Sequence, residues 1–278
     1  MAAITDLSDL ISLSSGGGTA QPQNPWFFKQ ARIAGAAATA PIAGRPASLW
    51  RYDGSPAAGA VPTTVAACTN ATVGAIQLTS PGGGRELHLI QAWATGLVGG
   101  TLILYDRLLH IGGLSGTVTT AQTVGGTLTR YTDGVGNFAM AEIYTIIGTT
   151  ATTITMSYTD QGGTSGQTST AVVFGGTGFR EVTRAIYLPL AAGDTGVQAV
   201  ASTTVLATTG TAGNFGITVG HPLAYIGIGT AGAPGWRDFV TGLPGIPTVG
   251  DDACLSLLWI PVTTTAPEIL GGLGIVEK

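Results

Sequence analysis

The chain has 278 residues, of which only 9% are Asp, Glu, Lys or Arg, whereas glycine alone supplies 44. An average soluble domain is about a quarter charged and about 7% glycine, so few side chains are left to solvate a monomer's surface or to act as acids, bases and metal ligands. The formal charge of −4 provides no basic surface for nucleic acid, and the composition predicts an assembling structural protein without enzymatic activity or cofactors.

A membrane span is not predicted either, although the mean hydropathy is +0.38. The charge-free stretches from Asp53 to Arg85 and from Asp194 to Arg237 are interrupted by Gly, Pro and Thr. Neither holds the ~20 mainly apolar residues that a spanning helix needs. The first ten residues have no basic segment before an apolar run, so no secretory signal is expected.

The N-terminal segment differs from the rest of the chain. Apolar residues share one helical face at Ile4, Leu7, Leu10 and Ile11. With Thr5 or Asp6 available as a cap, this spacing predicts a short helix. The following Ser14–Gly18 run predicts a flexible Gly/Ser linker.

Residues 1–46 are predicted to form an arm without a core of its own. An aromatic cluster, Asn24–Lys29, precedes an Ala/Gly/Pro stretch from Ile33 to Pro46 whose side chains are too small to build a core. The arm therefore packs on something else, and two alternatives stay open. It folds back over its own domain, or it reaches a neighbouring subunit.

Residues 47–278 are predicted to form a β-rich domain, or two β subdomains. Short runs rich in Thr, Val, Ile, Leu and Tyr alternate with Gly and Pro turns. The predicted strands are Ala71–Thr79, Arg85–Thr95, Gly100–Leu109, Asn137–Ile147, Thr152–Tyr158, Ser169–Phe174, Arg184–Leu190, Gly196–Ala207, Asn214–Val219, Leu223–Ile228, Ala253–Ile260 and Gly272–Val276. Many short strands at roughly 8–12-residue spacing predict an all-β fold of the β-sandwich or jelly-roll type.

The edges of such sheets need protection from unwanted pairing, which lysine and other charges usually provide. Lysine occurs only at Lys29 and Lys278. Pairing or covering the edges with a symmetric neighbour would solve the problem. We therefore expect a homo-oligomer, specifically a trimer.

The literal G-x-G-x-x-G at Gly227–Gly232 is not interpreted as a dinucleotide site. Such a site requires a helix that starts at the glycines. Here Pro234 and Gly235 follow at once, and no helical pattern comes after them. In a chain this rich in glycine, the match is expected by chance.

The histidines and cysteines indicate no metal site. His88, His110 and His221 are far apart and form no zinc-binding pattern, so each is interpreted as structural. Cys68 and Cys254 are the only cysteines and are predicted to be two buried thiols. Whether they meet is left open.

Large aromatic and arginine side chains outside the clear strands are the best candidates for a binding surface, because Trp and Arg are enriched at interface hot spots. The predicted interface residues are Trp26, Phe27, Phe28, Arg32, Trp236, Arg237 and Phe239. The Gly/Pro-rich loop 234–247, which carries the last three, is expected to be ordered and extended. The alternative is that this loop caps the domain's own core.

Several segments resemble uncharacterised virion structural proteins of tailed bacteriophages. These are Pro25–Phe28, Ser48–Gly54, Leu102–His110, Phe174–Glu181 and Trp236–Pro247. The resemblance spans most of the chain and implies a particle component, such as a head decoration (cement) protein or a minor capsid or tail component. It brings no catalytic residues with it.

The first hypothesis is a phage capsid decoration protein that contacts the major capsid protein or other virion proteins through low-charge interfaces. It is expected in the virion after assembly in the bacterial host cytoplasm, without nucleic-acid or membrane contacts. The second is a tail fibre or adhesin-type protein whose exposed aromatics stack on a host-surface glycan. A polysaccharide-degrading enzyme is a third alternative, because fifteen acidic residues are present although no pair stands out.

Overall fold

The computed structural model describes residues 4, 6–16, 21–33, 36–37, 40–81, 85–241 and 245–278. These ranges contain one short helix and many strands. They are α1 Leu7–Ser14, β1 Trp26–Ile33, β2 Ala36–Ala37, β3 Ala47–Ser48, β4 Tyr52–Ser55, β5 Ala66–Ala67, β6 Leu87–Gly96, β7 Gly100–Leu114, β8 Gln122–Thr123, β9 Phe138–Thr145, β10 Thr152–Asp160, β11 Gln167–Thr168, β12 Val172–Phe174, β13 Ala185–Tyr187, β14 Val197–Val205, β15 Asn214–Ile228, β16 Gly235–Asp238, β17 Thr248–Val249, β18 Leu255–Pro261 and β19 Ile269–Glu277.

The strands form three antiparallel sheets. Sheet A has the order β16-β6-β19-β1-β2, with β17 also pairing with β6 and β4 with β1. Sheet B has the order β13-β9-β15-β7-β18-β3, with β5 also on β7, and sheet C has the order β11-β10-β14-β8, with β12 on β10. The predicted all-β, sandwich-like fold is confirmed.

Sheet B contributes to two hydrophobic cores. Leu102 and Leu104 from the first half of β7 pack in the core shared with sheet A. Leu108 and Leu109 from the same strand pack in the core shared with sheet C. Strand β15 divides in the same way, so two long strands join two sandwiches in one body.

The N-terminal segment is part of this body. Asp6 caps helix α1 by accepting a hydrogen bond from the amide of Asp9 at 2.8 Å, and Leu10 is buried. Strand β1 then pairs with β19 on one side and with β4 on the other. Its Phe27 is fully buried in the first core. Of the two alternatives for the predicted arm, residues 26–33 follow the one in which it folds onto its own domain.

Three of the predicted strands differ from the structure: one is absent, and two are joined. Residues 71–79 form turns, and only Ile76 makes an isolated bridge, to Leu255. The buried apolar side chains that suggested a strand are anchors of an irregular segment. Conversely, the two strands predicted on either side of Pro222 are one continuous strand, β15, because a register shift absorbs the interruption.

The predicted linker Ser14–Gly18 lies partly outside the described residues. So does part of the loop 234–247. Its first half, expected to lie outside the strands, is strand β16, paired with β6. The aromatic cluster at 26–28 was likewise expected outside the strands and lies in β1.

Candidate binding surfaces

The predicted interface residues separate by the direction of their side chains. Phe27 and Phe239 are buried in the first core and therefore offer no surface for a partner. Arg32 is exposed on β1, and Arg237 is half-buried on β16. The other three, Trp26, Phe28 and Trp236, belong to the outer face of sheet A.

Three tryptophans lie in one row across this outer face. Trp236 on β16 is the register partner of Trp93 on β6. Trp93 is in turn opposite Gly272 on β19, and Gly272 is opposite Trp26 on β1. Residues directly opposite each other in antiparallel strands share a face. The row therefore runs perpendicular to four adjacent strands.

The end members of the row are the more exposed ones. Trp26 is 57% exposed and Trp236 is 58% exposed, while Trp93 between them is half-buried. The rings of Trp93 and Trp236 have centroids 6.1 Å apart and planes 30° apart. This tilt agrees with the rotation of ~20–25° between neighbouring strands of a twisted sheet.

Gly272 allows the middle indole to lie low on the sheet. A β-carbon at this position would be 2.8 Å from Nε1 of Trp93 and 3.2 Å from its Cε2. The ring of Trp93 therefore occupies the space above β19 where a side chain would stand.

Other residues of the outer face border the row. Leu270, which is 40% exposed, and Phe28 are paired on the next rung of the sheet. Beyond Trp26, a cleft of about 210 Å³ continues the row. The cleft is lined by Pro25, Trp26, Ser55, Pro56 and Gln77. The row thus ends at the edge strand β16 on one side and at a cleft on the other.

A second apolar surface lies on the outer face of sheet B. It contains a pocket of about 360 Å³ whose lining carries no charged side chain. Tyr187 and Tyr225 stand beside it, 51% and 55% exposed, above a floor that includes Phe138 and Met140. We refer to this surface as the tyrosine face and to the outer face of sheet A as the tryptophan face.

The most perturbed ionisable groups lie inside the protein and not on either face. Arg107 and Glu142 form an ion pair at 2.7 Å, and both side chains are fully buried. Burial raises the pKa of Glu142, but the adjacent guanidinium more than offsets this and holds it below its ordinary value. Tyr144 and Thr218 also donate to the same carboxylate oxygen. The network is enclosed, so it ties the strands of sheet B together and offers no surface to a substrate.

Both cysteines are buried free thiols, as predicted. They lie in contact, and the hydrogen bond with Cys254, together with His110 and Arg107, lowers the pKa of Cys68. Trp50 packs over the pair. A thiolate here would have no solvent access, so this cluster is not arranged as a nucleophilic site.

The histidines and the glycine motif also have structural surroundings. His110 accepts a hydrogen bond from Arg107, and His221 bonds Asn137 while stacking on Tyr131 at 3.8 Å. The G-x-G-x-x-G segment spans the end of β15 and the turn into β16, so a strand follows it where a dinucleotide site needs a helix. Among the described residues, no three His, Cys, Asp or Glu side chains are grouped closely enough to hold a metal ion.

The described part of the chain contains no helix with the length and hydropathy required to span a membrane.

Sequence reasoning missed the central members of both faces. Trp93 lies in a predicted strand, and its alternation with the buried Ala92 and Ala94 indicates an outward side chain. Nothing local relates it to Gly272. The tyrosine face likewise depends on which strands become neighbours.

In comparisons with known proteins, no family model, curated protein or solved structure matches the chain.

Proposed function

We propose that this protein is a structural component of a tailed-bacteriophage particle and that it decorates the capsid lattice as a homotrimer, after assembly in the host cytoplasm. The sequence resemblance to virion proteins and the low charge support this role. The structural observation that carries it is the uncharged tyrosine face, which is exposed although its floor is apolar. We assign this face to the contact with the major capsid protein.

The chemistry of the tyrosine face suits a protein partner. Aromatic residues are enriched and charged residues depleted at the centre of protein interfaces. Tyr187 and Tyr225 present an apolar ring with a polar tip at the rim of a pocket that accepts a partner's side chain. The Arg107–Glu142 ion pair of sheet B is fully buried and stays out of a partner's reach.

The size of the contact explains why several copies would act together. The exposed halves of two tyrosines amount to roughly 200 Å², because aromatic side chains present ~150–250 Å² each. At ~25 cal/mol per Å², covering them is worth about 5 kcal/mol, close to the lower end of the ~4–15 kcal/mol that association costs. One copy would therefore bind weakly. Three linked copies gain avidity, because the later contacts become intramolecular.

Co-sedimentation of the purified protein with emptied capsids tests the proposal. The wild type should saturate the capsids at a fixed copy number, and light scattering should give a trimer in solution. The double variant Tyr187→Ala/Tyr225→Ala should lose binding while keeping its circular dichroism spectrum. The matched control is Trp26→Ala/Trp236→Ala, which removes as many exposed aromatics from the other face. A compact monomer that fails to bind capsids would refute the decoration role.

A second candidate function is the tail fibre or adhesin-type protein that binds a host-surface glycan. The observation that favours it is the tryptophan row, since exposed indoles are suited to stacking on sugars. Copy number in the particle separates the two roles. Density repeated over the capsid lattice in cryo-electron microscopy indicates decoration, and a few copies confined to the tail indicate an adhesin.

A further inference from the structure

The tryptophans form a line, whereas hot-spot residues of protein interfaces cluster near the centre of a patch and are surrounded by a rim. Trp236 lies on the edge strand β16, and Trp26 lies three strands away beside the cleft. Both ends of the line are thus open. A line with open ends matches a linear polymer better than a folded domain.

The spacing of the line matches a sugar chain. Neighbouring strands are about 4.8 Å apart, close to the length that one pyranose ring adds to an extended chain. The Trp236 and Trp93 rings, on adjacent strands, have centroids 6.1 Å apart. Trp93 and Trp26 are two strands apart, or about 10 Å. A chain laid across the strands would therefore place successive sugars over Trp236, over Trp93, over the edge of the Trp93 indole that covers β19, and over Trp26.

The ring orientation and the charge of the site agree with this ligand. The middle indole lies low over Gly272, so a flat sugar can rest on it without meeting a side chain from β19. None of the four residues under the row is charged. A sugar ring presents C–H groups on its faces and hydroxyls at its edges, which suits an apolar track.

From these observations we propose that the tryptophan row is a binding site for a linear, neutral glycan that lies across the strands of sheet A and occupies four sugar subsites. Trp236, Trp93 and Trp26 lie beneath the first, second and fourth sugars, and the third sugar lies over β19, where the edge of the Trp93 indole covers Gly272. The site lies on a different sheet from the tyrosine face and is independent of the position of the protein on the particle.

The length dependence of binding is the first test. The probes are β-1,4-linked oligomers of N-acetylglucosamine and of glucose with two to six units, titrated into the full chain by calorimetry. A glycan array of neutral and acidic chains is screened in parallel. For the linkage that binds, affinity should rise up to four units and then level off, with the tetramer at least tenfold tighter than the dimer. Oligogalacturonate of equal length should not compete.

Two variants assign the subsites. The dimer should rest on the adjacent Trp236 and Trp93, so Trp26→Ala should leave its affinity unchanged while abolishing the gain from dimer to tetramer. Trp236→Ala should weaken both oligomers at least tenfold. Tyr225→Ala, an exposed aromatic of the other face, is the matched control and should bind like the wild type. Circular dichroism confirms that each variant is folded.

Three binding results would overturn the proposal. They are no binding by any neutral chain on the array, affinities that Trp26→Ala and Trp236→Ala leave unchanged, and loss of capsid binding in these variants without loss of glycan binding. The last outcome would make the row a protein-docking surface. Shorter products after incubation would instead reveal glycan cleavage and overturn a pure binding role. Capsid co-sedimentation is scored separately, so failure of glycan binding leaves the decoration proposal standing.

Discussion

Phe27 tests whether strand β1 is an integral part of the fold. Its ring is fully buried in the core between sheets A and B, and a β-carbon on Gly271 would lie 2.3 Å from its Cζ. Phe27→Ala should therefore leave a cavity, because Gly271 has no side chain that could move into the space of the lost ring. Such a truncation costs about 3–5 kcal/mol of the free energy of unfolding. At ~2–4 °C per kcal/mol for a large domain, Tm should fall by roughly 10 °C.

Urea unfolding followed by circular dichroism measures the loss, and the neighbouring residue provides the control. Trp26 lies on the opposite side of the same strand and is 57% exposed. Trp26→Ala should change the free energy of unfolding by less than about 1 kcal/mol. A cost below about 1 kcal/mol for Phe27→Ala, or equal costs for the two variants, would refute the inference that β1 is a structural strand.

Three further predictions concern buried charge and the tryptophan row. Glu142→Gln leaves Arg107 buried without its charged partner and should lower the free energy of unfolding by about 3–5 kcal/mol at pH 7. The folded protein holds the pKa of Glu142 below its ordinary value. The stabilisation by the ion pair is therefore complete above about pH 5 and is lost as the pH falls through the folded-state pKa. Urea titrations should show this loss of stability at acid pH in the wild type and not in the variant. Burial lowers the pKa of Lys29 to about 8, so the unfolded chain binds this proton more tightly than the folded protein does. The free energy of unfolding should therefore rise by roughly 1.5 kcal/mol from pH 8 to 9.5. Lys29→Met should abolish the rise. Gly272→Ala places a β-carbon 2.8 Å from Nε1 of Trp93, so calorimetry should show a several-fold loss of tetrasaccharide affinity with less than about 1 kcal/mol change in unfolding.

The fold class could be predicted because it depends on local pattern. The predicted segments coincide with or border strands β6, β9, β10 and β14. This agreement arises because short runs of β-branched residues between Gly and Pro turns show the two-residue period of a strand. The strand predicted at residues 71–79, which the structure lacks, also came from this local pattern. Buried side chains in an irregular segment satisfy the same pattern when they anchor turns against a core.

The binding surfaces could be predicted only in part, because they depend on non-local pairing. Residue type and sequence setting predict Trp26 and Trp236 as interface residues, and both are exposed. Their alignment requires β16, β6, β19 and β1 to be neighbours in one register. The segments that carry them are separated by most of the chain. Phe27 is predicted from the sequence to be an interface residue but is buried, because only strand register decides which side of β1 faces the core.

The glycine content, interpreted first as a sign of assembly, also has a local role in sheet A. Gly271 and Gly272 are adjacent on β19 and point to opposite sides of the sheet. On the core side, the ring of Phe27 takes the space of a side chain at Gly271; on the outer side, the indole of Trp93 takes it at Gly272. Because each ring lies against bare backbone, the strand is covered by aromatics on both faces. One pair of glycines therefore serves the core and the tryptophan row together, and substitutions at the two positions should separate stability from binding.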